Sequence, residues 1–219
     1  MAAVNFPSSL LIELACLVAA VLWTGKEKAW PWKGFVPFML FICLVEGAGW
    51  IMSVLRIFNH WVYNIELPVE FFFTGAVLYS FLSAQRRVKG WWLAAAALFS
   101  IVFVAELLHN RFVAYTDMAD ELAAILFILA SGVYFYFLLR SPDYVDLKTS
   151  PAFWIVAGIF LFYFGATAVT VFFDQLMSIN LLQGIPLRYL IFTVLNAILY
   201  GCWAYGLRCR YLQQISFSR

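Results

Sequence analysis

Charge is scarce in this 219-residue chain. Asp, Glu, Lys and Arg make up 12% of it, against about 25% in an ordinary soluble domain. That shortage argues against a disordered chain, a nucleic-acid-binding domain and a soluble enzyme. Histidine occurs twice, so a three-histidine zinc site cannot be assembled. The four cysteines, Cys16, Cys43, Cys202 and Cys209, all fall inside apolar runs. None stands in a connection where an outer disulfide would form, and they read as buried thiols packing like small hydrophobes. Connections are short, the longest about a dozen residues. A kinase, nucleotide-binding or DNA-binding output would therefore have to come from a partner.

What is present is apolar side chain: 65% of the residues are hydrophobic and 20% aromatic. A bilayer core about 30 Å thick needs ~20 apolar residues per helix. Seven stretches qualify: 8–24, 34–57, 64–85, 90–109, 118–139, 151–174 and 187–209. The runs are continuous, as in 93–105 and 155–171, whereas barrel strands alternate in polarity over ~10 residues. The expected fold is therefore all-α, a single transmembrane domain of seven helices over residues 1–219. Basic residues orient it. Lys26, Lys28, Lys33, Arg86, Arg87, Lys89, Arg140, Lys148, Arg208, Arg210 and Arg219 fall on one side, and Arg56, Arg111 and Arg188 on the other. The positive-inside rule then places the N-terminus outside and the C-terminus in the cytoplasm. No Lys or Arg precedes the first apolar run, so that run reads as a retained helix and not a cleaved leader. Trp23, Trp30, Trp32, Trp91, Trp92, Trp154 and Trp203 lie at or near the cytoplasmic ends and Trp61 near the outer one, the headgroup level that amphipathic rings favour.

Ionisable residues within spans are costly and are functional candidates by default. The outer half holds Glu13, Glu66, Glu70, Glu106, Asp117, Asp120, Glu121 and Asp174 against three arginines. Glu13 lies about 7 Å into the first helix at 1.5 Å per residue. Glu66 and Glu70 share a helix face at i, i+4, and Pro68 between them supplies no N–H to its helix. Glu46 stands ~18 Å into the second helix, near the midplane, in the small-residue stretch Glu46-Gly47-Ala48-Gly49 that permits close helix approach. Asn196, at similar depth in the last helix, is a candidate hydrogen-bond partner for it. The candidate ligand-binding set is Glu13, Glu46, Arg56, Glu66, Glu70, Glu121, Asp174, Arg188 and Asn196. Within it, Arg56, Glu70, Asp174 and Arg188 are expected to meet. A cleft of one sign focuses field and attracts cations or amines. The competing reading is that these charges pair among themselves and brace the bundle. Glu106 and His109, at i, i+3, have the spacing of carboxylate-bridged di-iron bundles and are the metal candidates.

An internal repeat is also suggested. An offset of 118 residues sets Gly47-Ala48 against Gly165-Ala166, Pro68 against Pro186, Arg56 against Asp174 and Glu70 against Arg188. An offset of 108 sets Glu13-Leu14-Ala15 against Glu121-Leu122-Ala123. Three helices, a linker helix and three more would share one orientation, the parallel arrangement of SWEET-type transporters.

In topology the chain resembles rhodopsins and G-protein-coupled receptors. Lys26, Lys28, Lys33, Lys89 and Lys148 all lie in or beside loops, so a retinal Schiff base is excluded. The core histidines of the adiponectin-receptor and ceramidase type of hydrolase are missing, as is the Pro-Gln pair of PQ-loop transporters. The stretch Asn59-His60-Trp61-Val62-Tyr63-Asn64, with Pro68-Val69-Glu70-Phe71 after it, resembles small uncharacterised bacterial seven-helix membrane proteins. That resemblance implies a bacterial inner membrane and no particular activity. Three functions remain open: a transporter or sensor that binds a small cationic or amine ligand, a metal-dependent membrane enzyme using Glu106 and His109, and a structural subunit of a membrane complex. The lipid bilayer, a small ligand and a membrane or cytoplasmic protein are the partners these imply, and nucleic acid is not among them.

Overall fold

The computed structural model describes residues 8–84, 86–141, 146–172, 180–181 and 185–217, with the side chains of 180, 181, 185, 186 and 217 outside that description. Helix α1 spans Ser8–Thr24, a 3-10 turn spans Trp32–Gly34, and α2 spans Phe35–Val54. Then come α3 (His60–Ser83), α4 (Lys89–His109), α5 (Asp117–Arg140), α6 (Pro151–Val171) and α7 (Leu187–Phe217). Before α7, Asn180–Leu181 pairs antiparallel with Ile185–Pro186.

Six of these helices, α2 to α7, are long and apolar enough to cross a membrane. Helix α1 has 17 residues, roughly 25 Å at 1.5 Å per residue, a little less than a bilayer core. Apolar side chains cover the outward faces, including Leu22, Leu93, Ile101, Leu129 and Leu161. Such surface belongs against lipid. Helix α4 is the extreme case: Phe99 is its single buried residue, stacked on Phe71 with ring centroids 3.8 Å apart.

Several boundaries move from those expected. Helix α3 starts at His60, four residues before the apolar run, because polar and aromatic residues continue a helix where lipid is no longer required. Helix α7 runs on to Phe217 for the same reason, carrying its polar last turns beyond the apolar segment. Helix α2 stops at Val54 because the chain turns there. Arg56 takes the left-handed conformation, at φ 57°. Its N–H donates to Ser53 O at 3.1 Å, and the Ile57 N–H donates to Met52 O at 2.8 Å. These two bonds are the Schellman ending of a helix. Helix α4 ends identically: Arg111 at φ 50°, with Arg111 N–H to Leu108 O and Phe112 N–H to Leu107 O.

The chain forms two compact units, Met1–Ala123 and Ala124–Arg219. The division falls inside α5, so α4 and the first turns of α5 belong with the first three helices. In the first unit α1 packs along α2, α2 on α3 and α3 on α4. Trp32 stacks on Phe35, Phe35 meets Phe73 edge-on, and Phe38 stacks on Phe73 at 4.0 Å. In the second unit α6 and α7 form the dominant pair. Ser150 caps α6 by accepting from the Phe153 N–H at 3.4 Å, with Pro151 in the first turn, where its missing N–H costs nothing. Gly158 lets α7 approach: a Cβ there would come within 2.9 Å of Cys202 Cβ and 3.1 Å of Leu199 O.

Candidate functional site

The first unit gathers carboxyl groups from four helices at one end. Glu13 of α1 is buried, at 5% exposure, within electrostatic range of Glu46 and Glu70. Glu66 lies within range of Glu70, Glu46, Glu13 and Asp120. Glu46, Glu66, Glu70 and Asp120 are all half-buried. Hydroxyl groups line the same place. Ser9 Oγ donates to Glu46 Oε1 at 3.0 Å, Tyr63 hydrogen-bonds to Glu46, and Tyr115 to Asp120. Glu13 Oε2 is buried and has no hydrogen-bond partner among the described residues.

Local structure explains why these groups converge. Tyr63, Glu66 and Glu70 recur at three- and four-residue intervals and so share one face of α3. Tyr63 reaches Glu46 because residue 49 is glycine: a Cβ there would overlap the Tyr63 hydroxyl. Asn64, one residue on, holds the loop between α4 and α5. Its Nδ2 donates to Ala114 O at 2.9 Å, and its Oδ1 accepts from Thr116 N–H at 3.2 Å and Thr116 Oγ1 at 3.3 Å. Tyr115 sits between those two anchors. Burial, with Asp120, Glu70 and Glu66 nearby, holds the Tyr115 phenol above the ordinary tyrosine range.

Glu121 and Arg56, both expected at the site, are exposed. Asp120 turns in instead of Glu121. Asp120 is in phase with the buried Ala124, Phe127, Ser131 and Tyr134 along α5, while Glu121 follows the exposed Ile125 and Leu129. One residue rotates a helix by about 100°, which separates the two acids. Glu13 and Glu121, equivalent under the suggested repeat, thus differ in burial. Arg56 is exposed at the turn after α2, where its backbone ends the helix. Glu46 has Ser9 and Tyr63 as partners. Asn196 is half-buried on α7 and Arg188 is exposed there, its guanidinium 5.4 Å from the Phe192 ring centroid. Both belong to the second unit. Asp174 lies outside the described residues.

Glu106 serves a structural purpose. Its Oε1 accepts from Met118 N–H at 3.1 Å and its Oε2 from Ala119 N–H at 2.9 Å. These are free donors in the first turn of α5, and a carboxylate also suits the positive end of the helix dipole. His109 is exposed at the end of α4. Among the described residues, no three His, Cys, Asp or Glu side chains come together as a metal-holding group.

Ser9, Tyr63, Asn64 and Tyr115 are the contributors that reading the sequence passed over, and Asp120 stood among the outer acids but outside the candidate set. Tyr63 had a signal in its helical phase with Glu66 and Glu70. Ser9 and Tyr115 had none, because their contacts span 37 residues in one case and depend on a pinned loop in the other.

The helices and their apolar exteriors define a multi-pass α-helical integral membrane protein, with a buried acidic group inside its first unit. No protein-family model matches the sequence, and comparison with curated proteins and with solved structures finds no match.

Proposed function

We propose that this protein binds a small cationic or amine ligand at the Glu13, Glu46, Glu66, Glu70 and Asp120 group, and acts as a transporter or a sensor. The observation that carries the reading is Glu13: a carboxyl 5% exposed, with an oxygen that has no hydrogen-bond partner among the described residues, within electrostatic range of the carboxyls of Glu46 and Glu70. A buried charge without a counter-charge is expensive. A bound cation supplies that counter-charge. Seven spans, an outer N-terminus and a bacterial inner membrane complete the proposal. They rest on the distribution of lysine and arginine and on the resemblance of residues 59–71. In that orientation the acidic group lies toward the outer side, since it sits in the N-terminal halves of α1, α3 and α5.

Isothermal titration of the detergent-purified protein with methylammonium and with sodium tests this. Binding of one of the two is expected. Glu13→Gln should weaken it at least tenfold while leaving thermal stability unchanged or higher. Absence of binding by both probes, or wild-type affinity in Glu13→Gln, refutes the reading. Flux of methylammonium into proteoliposomes then separates a transporter from a sensor.

A further inference from the structure

The α1–α2 pair holds a second set of groups that the acidic layer leaves unused. On α1, Cys16 follows Glu13 by three residues. On α2, Cys43 precedes Glu46 by three and follows Met39 by four. Those spacings put each set on one helix face. The two helices pack along one another: Ser9 Oγ of α1 meets Glu46 Oε1 of α2 at 3.0 Å, Glu13 lies within electrostatic range of Glu46 and of Cys43, and Cys16 lies within range of Cys43. Cys16 is 2% exposed, Cys43 8%, and Met39 and Ala20 are fully buried. Both cysteines are free thiols. A layer of oxygen ligands therefore gives way, one helical turn inward, to a layer of sulfur.

Oxygen ligands suit hard cations, while thiolate and thioether ligands select soft ones such as Cu(I). A monovalent d10 ion needs two thiolates in line and accepts a thioether as a third ligand. We propose that Cys16 and Cys43 form a binding site for a soft monovalent metal ion of the Cu(I) class, with Met39 as the third sulfur and the carboxyl groups as its approach. The approach rests on the cation-binding reading above; the sulfur site does not. On binding, two S–H bonds break and two S–metal bonds form. The metal keeps its oxidation state. Two protons leave, and Glu13 and Glu46, one turn along each helix, are the nearest carboxyl groups to relay them outward.

The test uses the full-length protein in detergent under reducing conditions, titrated with Ag(I), and with Cu(I) in competition with a colorimetric chelator. One ion per chain is expected. Cys16→Ser and Cys43→Ser should each weaken binding at least tenfold, and Cys202→Ser should leave it unchanged. X-ray absorption of the silver-loaded wild type, which depends on no variant folding, should show two or three sulfur neighbours. A shell of oxygen or nitrogen, or wild-type affinity in the Cys16→Ser/Cys43→Ser double variant, overturns the proposal. Methylammonium or sodium binding retained without silver binding sinks this inference alone. Silver binding retained without either of those probes sinks the functional reading alone.

Discussion

Asn64→Ala tests how the acidic group is assembled. The Asn64 side chain is buried at 6% exposure, and Thr116, which donates to it twice, is fully buried. Truncation strands the Thr116 N–H and hydroxyl away from water, while Ala114 O, on an exposed residue, recovers a water. Each buried group left without a partner costs about 1–3 kcal/mol, so the loss should come to roughly 2–4 kcal/mol once the loop relaxes. For a chain of this size, that corresponds to a fall of about 5–15 °C in melting temperature. Thr116→Val removes one hydroxyl bond and should cost about 1 kcal/mol. Differential scanning fluorimetry on the two single variants and the double variant gives the coupling, expected at about 0.5–2 kcal/mol. The loop also aims Tyr115 at Asp120, so Asn64→Ala should weaken cation binding as well. Strictly additive effects of the two substitutions, or a melting temperature within a degree of wild type, would refute the claim that Asn64 pins the loop.

Arg56→Gly should raise stability by about 1 kcal/mol in the same assay, because a side chain in the left-handed region is strained and glycine is not. A clear loss would show that the guanidinium is held by a carboxylate after all. Glu106→Ala should cost about 1–2 kcal/mol by freeing two donors at the start of α5, with Glu106→Gln, which keeps one acceptor, closer to wild type; equal losses would count against capping. Gly49→Ala should cost about 1–3 kcal/mol by driving the Tyr63 hydroxyl off Glu46, and less in a Tyr63→Phe background, where an unchanged cost would refute the contact. Tyr115 gives a pH dependence. Its phenol lies above the ordinary value of 10.0 in the folded protein, so above pH 10 the unfolded chain releases that proton first and stability falls as pH rises. Urea titrations at pH 9 and pH 11 should show a larger loss for wild type than for Tyr115→Phe, and equal losses would remove the effect.

The sequence alone determined the class and the places where helices run. Hydropathy over ~20 residues is a local property, and a bilayer reads it one segment at a time. The runs at 8–24, 90–109 and 118–139 became α1, α4 and α5 with ends shifted by a residue or so. Glu13, Glu46, Glu66 and Glu70 were legible as candidates for the same reason, since charge is conspicuous in an apolar run. Rotation about each helix axis was not legible. In a segment apolar all round, no polar face marks which side turns inward, and Asp120 could be told from Glu121 only by what α5 packs against. Tertiary structure also decided the use of each charge. Arg56 ends a helix and Glu106 caps one, because each stands where backbone groups have run out of partners within their own helix. That Glu13 lies within electrostatic range of Glu46, and Cys16 of Cys43, came from the register of α1 on α2. That register is set by how side chains fit across two helices, which the spacing of residues along either one does not contain.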